Sequence, residues 1–78
     1  MQLTDAQRRA LTFIADVEPR GATEAMLEHH HIKLQLVIDL IKVGLARPRM
    51  ERVRAKNGMT FEVARVVLTD AGRRALAH

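Results

Sequence analysis

Five basic side chains crowd into ten residues: Arg47, Arg49, Arg52, Arg54 and Lys56, opposed inside that segment only by Glu51. They give the stretch a net charge of +4, while the eight basic and eight acidic side chains in the rest of the 78-residue chain cancel. The whole formal excess therefore sits in one place, and its chemistry is the neutralisation of phosphate or another anion. A second account is an edge strand that charge protects against pairing with other strands.

His29, His30 and His31 offer a different chemistry, because imidazole is a common zinc ligand. Three consecutive residues cannot converge on one ion from a regular helix, however, and the fourth histidine is His78 at the far end. The triplet reads better as cations that close a helix and fill a turn. Neither a metal nor a cofactor is expected. Catalysis has no constellation to work with, since the chain has no Ser, no Cys and no Gly-rich phosphate loop, and its carboxylates are not grouped. No enzyme is expected. With two Phe and no Trp or Tyr, the chain also lacks aromatic platforms for stacking single-stranded bases.

Seventy-eight residues make one domain, in which roughly 60% of the unfolded chain's surface can be buried. The N-terminus is polar and no apolar run nears the ~20 residues of a membrane span, so the expectation is a cytoplasmic protein without membrane attachment. The elements that must position the basic segment announce themselves at both ends. Residues 3 to 11 read "LTDAQRRAL" and residues 68 to 76 read "LTDAGRRAL", which differ only at Gln7 against Gly72. In each copy a Thr precedes an Asp, so a hydroxyl caps a first-turn amide and a carboxylate meets the positive end of the helix dipole. Thr4 and Gln7 also spell a capping box, and Leu3, Ala6, Ala10, Phe13, Ile14 and Val17 follow at helical spacing.

This first helix should end near Glu18-Pro19. Thr23 and Glu24 open a short second helix into the histidine triplet, and a third spans about Ile32 to Val43, with Gly44 placed to end it in a left-handed cap. After Gly44 the period changes. Residues 46 to 55 and 59 to 68 read as strands joined at Asn57-Gly58, a pair typical of tight hairpins, which would set Lys56 opposite Met59, Arg54 opposite Phe61 and Arg52 opposite Val63. Thr69 caps a last helix, Asp70 to about Ala77, in which Gly72 is tolerated at some cost. The paired arginines Arg8-Arg9 and Arg73-Arg74 read as solvated.

Three helices, a basic hairpin and a final helix form the layout of an α+β winged helix-turn-helix domain, with the hairpin as the wing. Specific stretches carry a family resemblance as well. "LVIDLIKVGLARPR" at residues 36 to 49 resembles the "L-V-x-x-L-x-x-x-G-L-V-x-R" segment that ends the recognition helix and enters the wing of MarR-type transcriptional regulators. "LTDAGRRAL" is similar to their "L-T-x-x-G-R-x-x-L" after the wing, and "LTDAQRRAL" to the start of the helix that opens their DNA-binding lobe. Together these stretches cover about Leu3 to Leu76.

The resemblance implies a transcription regulator that binds duplex DNA. His30, His31, Lys33 and Gln35 near the start of helix three would then reach the major groove, with Gln35 suited to adenine and Lys33 or Lys42 to phosphate or guanine. Arg47, Arg49, Arg52, Arg54 and Lys56 of the wing would lie on the backbone or in the minor groove. Asp39 opposes this by repelling phosphate. Full-length members of that family dimerise through long helices outside the lobe. None is present here, so monomeric binding or a homodimer through the lobe's own surface is expected. Helix three leaves a second account open, because Leu34, Leu36, Val37, Ile38, Leu40, Ile41 and Val43 wrap most of its circumference and leave only His31, Gln35, Asp39 and Lys42 on a polar strip. That surplus apolar surface would suit a protein partner or a second copy.

Overall fold

Three of the four helices among residues 2–77, which the structure (a computed structural model) describes, open on a threonine oxygen. At α1 (Asp5–Asp16) the Thr4 hydroxyl accepts from the Gln7 amide at 3.1 Å, and the Gln7 side chain accepts from the Thr4 amide at 2.9 Å. At α2 (Glu24–His29) Thr23 accepts from the Met26 amide at 3.2 Å. At α4 (Asp70–Leu76) Thr69 accepts from the Gly72 amide at 3.0 Å, and its own hydroxyl donates to the Gly44 carbonyl at 2.6 Å. Each cap satisfies an amide that the first helical turn leaves without a partner.

The third helix, α3 (Leu34–Lys42), has no side-chain cap and starts two residues later than its periodicity suggests. The reason lies in how α2 ends. The Ile32 amide bonds back to the Leu27 carbonyl and the His31 amide to the Glu28 carbonyl, both at 2.9 Å, with His31 in the left-handed region at φ 58°. This is a Schellman closure, and its hydrophobic clasp is the buried pair Leu27 and Ile32. Residues 30 to 32 thus belong to the end of α2, and α3 begins only after Lys33. The same closure ends α3, where Leu45 bonds to the Leu40 carbonyl at 2.9 Å, Gly44 to Ile41 at 3.0 Å, and Gly44 takes the expected left-handed position at φ 84°.

Strands β1 (Ala46–Arg54) and β2 (Thr60–Leu68) pair antiparallel, and an isolated bridge between Ala22 and Val66 extends the sheet by one residue pair. The fold is therefore α+β, four helices with one antiparallel hairpin. The hairpin register differs by one residue from the pairing that a two-residue Asn-Gly turn would give. Arg54 faces Thr60, Val53 faces Phe61 and Arg52 faces Glu62. Lys56-Asn57-Gly58 forms a three-residue loop closed by Ala55 N–H to Met59 carbonyl at 2.8 Å, with Gly58 left-handed at φ 85° and the Asn57 side chain accepting from the Met59 amide. Lys56 is a loop residue and pairs with no strand residue.

A shift of one residue decides which side chains share a face. Arg47, Arg49, Glu51 and Val53 stand on one side of the ribbon with Phe61, Val63, Arg65 and Val67, whereas Arg52 and Arg54 stand on the other with Thr60 and Glu62.

The core lies where the helices meet the base of the hairpin. Leu11 and Ile14 of α1, Leu27 of α2, and Val37 and Leu40 of α3 are the largest fully buried side chains, joined by Leu45, Ala46 and Leu68. The α1 stripe read from the sequence needs one exchange, since Leu11 is buried and Ala6 is exposed. Helix α1 also stops at Asp16, two residues short of Glu18.

Gly72 corrects a second expectation. A Cβ on it would collide with the Leu45 carbonyl oxygen, so the glycine is what lets α4 lie against the backbone entering β1.

Candidate nucleic-acid interface

Strands β1 and β2 with their loop hold six basic and two acidic side chains, and the seven basic and seven acidic side chains outside them cancel. Arg52, Arg54 and Lys56 are exposed, with no hydrogen bond or ion pair to any described residue. Arg52 and Arg54 share a face because alternate strand residues do, and Lys56 extends the positive charge onto the loop. Arg47 is exposed at the base of the hairpin, where its charge bears on the Glu18 carboxylate.

Arg49 does not belong to this free set. Its guanidinium donates to the carbonyls of Pro19 at 3.0 Å and Arg20 at 2.6 Å, so it fastens the α1–α2 link to the sheet. Directly opposite, Arg65 is buried and donates to the Glu51 carboxylate at 2.6 Å and the Gly21 carbonyl at 3.3 Å. Sequence reasoning passed over Arg65. The available signal was an arginine inside the apolar run Val63 to Leu68 with an acid on the facing strand, a pattern that predicts a paired, covered charge.

The α3 residues divide in a similar way. Lys33, Gln35, Asp39 and Lys42 are exposed as expected, but the Gln35 amide nitrogen donates to Asp39 at 3.0 Å, one helical turn on. Leu34, Ile38 and Val43 are exposed beside them, at 45%, 36% and 54%. The stretch from Glu24 to Lys42 carries three acidic and two basic side chains and so contributes no net positive charge.

The three histidines diverge. The His30 ring lies 4.2 Å from the Phe13 ring and 5.4 Å from the His29 ring, while His31 occupies the left-handed turn. The His30 ring thereby lies against Phe13 of α1 while the residue stays exposed. Among the described residues no three or more His, Cys, Asp or Glu side chains are grouped to hold a metal, and His78 lies outside those residues.

Of the paired arginines, Arg9, Arg73 and Arg74 are exposed and Arg8 is half-buried, and three of the four make contacts within the fold. Arg8 donates to the Leu76 carbonyl at 3.3 Å and Arg9 to the His31 carbonyl at 3.1 Å. Arg73 bridges Glu18 at 2.9 Å and Asp70 at 3.2 Å. Burial by itself would raise the Glu18 carboxyl, but the Leu68 amide at 2.8 Å and the Arg73 guanidinium both favour the ionised form and hold it below the ordinary value. Glu18 thus joins the end of α1, the end of β2 and α4 through one side chain.

No helix among the described residues is long and apolar enough to cross a membrane. Set beside known proteins, the chain matches no family model, no curated protein and no solved structure.

Proposed function

We propose that the chain is a winged helix-turn-helix module of the MarR-like kind that binds duplex DNA and acts in transcription regulation, with α2 and α3 as the helix-turn-helix and the β1–β2 hairpin as the wing. The observation that carries this reading is the placement of charge: the entire net +4 lies on the hairpin, and Arg52, Arg54 and Lys56 remain free to meet phosphate. The four-residue turn between α2 and α3 and the exposed Lys33, Gln35 and Lys42 support the same reading. Binding would be dominated by the wing and weakly selective, because α3 adds little positive charge and Gln35 is engaged by Asp39.

An NMR shift titration with mixed-sequence duplex DNA at low and moderate salt tests this. The expected result is salt-sensitive shifts at Arg52, Arg54, Lys56 and the start of α3. Shifts absent at low salt would reject it. A second reading, a protein-docking module, is favoured by Leu34 and Ile38 exposed on the outward side of α3. Ile38→Asp would then abolish partner binding without unfolding, while Lys33→Ala and Gln35→Ala would leave DNA binding untouched.

A further inference from the structure

A groove of about 440 Å³ opens between α2 and the start of α3. Leu34 is its exposed apolar side chain, over the buried Schellman pair Leu27 and Ile32, and Glu24, Glu28 and Lys33 give it a net charge of −1. The far end of the hairpin has the complementary character. Met59 and Phe61 are 65% and 51% exposed on one side of the ribbon beside Val53 and Ala55, Lys56 on the loop adds a positive charge, and Arg54 stands on the opposite face. The molecule measures 47 × 24 × 20 Å, long enough for a nine-residue ribbon of about 30 Å to project from the helices.

We propose that the hairpin end of one copy seats in the α2–α3 groove of a second copy. Met59 and Phe61 cover Leu34 at the mouth of the groove, and Lys56 on the loop faces Glu24 and Glu28. Charge selects this arrangement over the alternative in which two apolar hairpin faces stack on each other, since stacking would bring two +4 ribbons together whereas the groove presents opposite charge. The contact is heterologous, so each copy retains a free groove and a free hairpin, and growth is open-ended unless the rotation closes a ring. Two exposed side chains and a small groove bury less than the ~800 Å² per partner of stable complexes, so association is weak and calls for high concentration. This inference does not rest on the DNA reading, though it uses the same hairpin end, and its test contains no nucleic acid.

The test is sedimentation equilibrium of the full chain at low salt, up to about 1 mM, the range in which a contact this small associates. A groove variant, Glu28→Arg with Leu34→Arg, and a hairpin variant, Met59→Ser with Phe61→Ser, are each expected to stay monomeric. Mixed together they are expected to form a 1:1 pair and nothing larger, because one good hairpin and one good groove remain. All four positions are exposed, and thermal melts check folding. If either double variant fails to melt cooperatively, Glu28→Gln and Lys56→Gln replace them in the same mixing design. A wild-type chain that stays monomeric throughout would overturn the proposal. So would variants that associate like wild type, or a mixture that stays monomeric while wild type associates.

Discussion

Arg49 and Arg65 stand directly opposite each other across the hairpin, and both point their guanidinium groups at the segment Pro19 to Gly21. Like charges at facing positions of an antiparallel pair are unfavourable unless acceptors separate their interests. Here three backbone carbonyls and the Glu51 carboxylate do so. The base of the basic ribbon is therefore a fastening, and only its outer part is free for an anionic partner.

That division predicts two kinds of arginine variant. Arg65→Ala should cost about 1.5–3 kcal/mol, because it strips the Glu51 carboxylate and the Gly21 carbonyl of a charged donor, and Arg49→Ala about 1 kcal/mol. Each kcal/mol corresponds to roughly 4–8 °C in a melt of a domain this size. Neither Arg49→Ala nor its removal together with Arg65 should flatten the salt dependence of duplex binding beyond what unfolding explains. Arg52→Ala and Arg54→Ala should do the reverse, leaving the melt unchanged and lowering the slope by ~0.9 per lost phosphate contact. An unchanged slope in those two variants would remove the hairpin from the interface.

How much of this was legible in the sequence follows from how local each signal is. The threonine caps, the Gly44 closure and the strand ranges rest on neighbours within a few residues, and the structure has them where the sequence places them, save that each strand is one residue shorter at the loop. The hairpin register was misread because Asn57-Gly58 suits a two-residue turn and also the last two positions of a three-residue loop with Gly58 left-handed. The second spelling wins because it puts Val53 and Phe61 together and Arg52 beside Glu62, a sorting that only the full ladder reveals. Arg49, Arg65 and Glu18 were illegible for a related reason. Their partners lie 14 to 55 residues away, beyond any local pattern.

The two nearly identical nonapeptides differ where their surroundings differ. Gln7 closes a capping box on the half-exposed start of α1, while Gly72 presses against the Leu45 carbonyl. Gly72→Ala would ordinarily stabilise a helix by about 1 kcal/mol, yet here it should destabilise by about 1–3 kcal/mol because backbone cannot move aside as a flexible side chain would. Thr69→Ala should cost about 0.5–2 kcal/mol through loss of the cap. Thermal melts measure both, and a Gly72→Ala chain that melts higher than wild type would show that α4 does not pack on Leu45.

Acid should weaken the tie at Glu18. Its folded-state carboxyl titrates below the ordinary value, so the contribution is fully present above the unfolded-chain pKa and is lost as pH falls through the folded one. Between about pH 5 and pH 3 the melting temperature of the wild type should fall more steeply than that of Glu18→Gln, which has no carboxylate to protonate. Parallel pH profiles for the two chains would show that the Leu68 and Arg73 contacts do not favour the ionised form.

His31 offers the last prediction, because it holds a left-handed position that glycine usually fills at the end of a helix. The strain of that conformation for a residue with a Cβ is about 1–2 kcal/mol, and glycine returns about 0.5–1 kcal/mol of it as lost chain entropy on folding. His31→Gly should therefore raise stability by up to about 1 kcal/mol, and the Arg9 bond to the residue 31 carbonyl should persist since it uses only backbone. His31→Val should lower stability, because a β-branched residue suffers most in that region. If instead His31→Gly melts lower than wild type, the imidazole contributes more than the strain costs, and a contact made by the side chain at the mouth of the α2–α3 groove would account for a histidine where the backbone favours glycine.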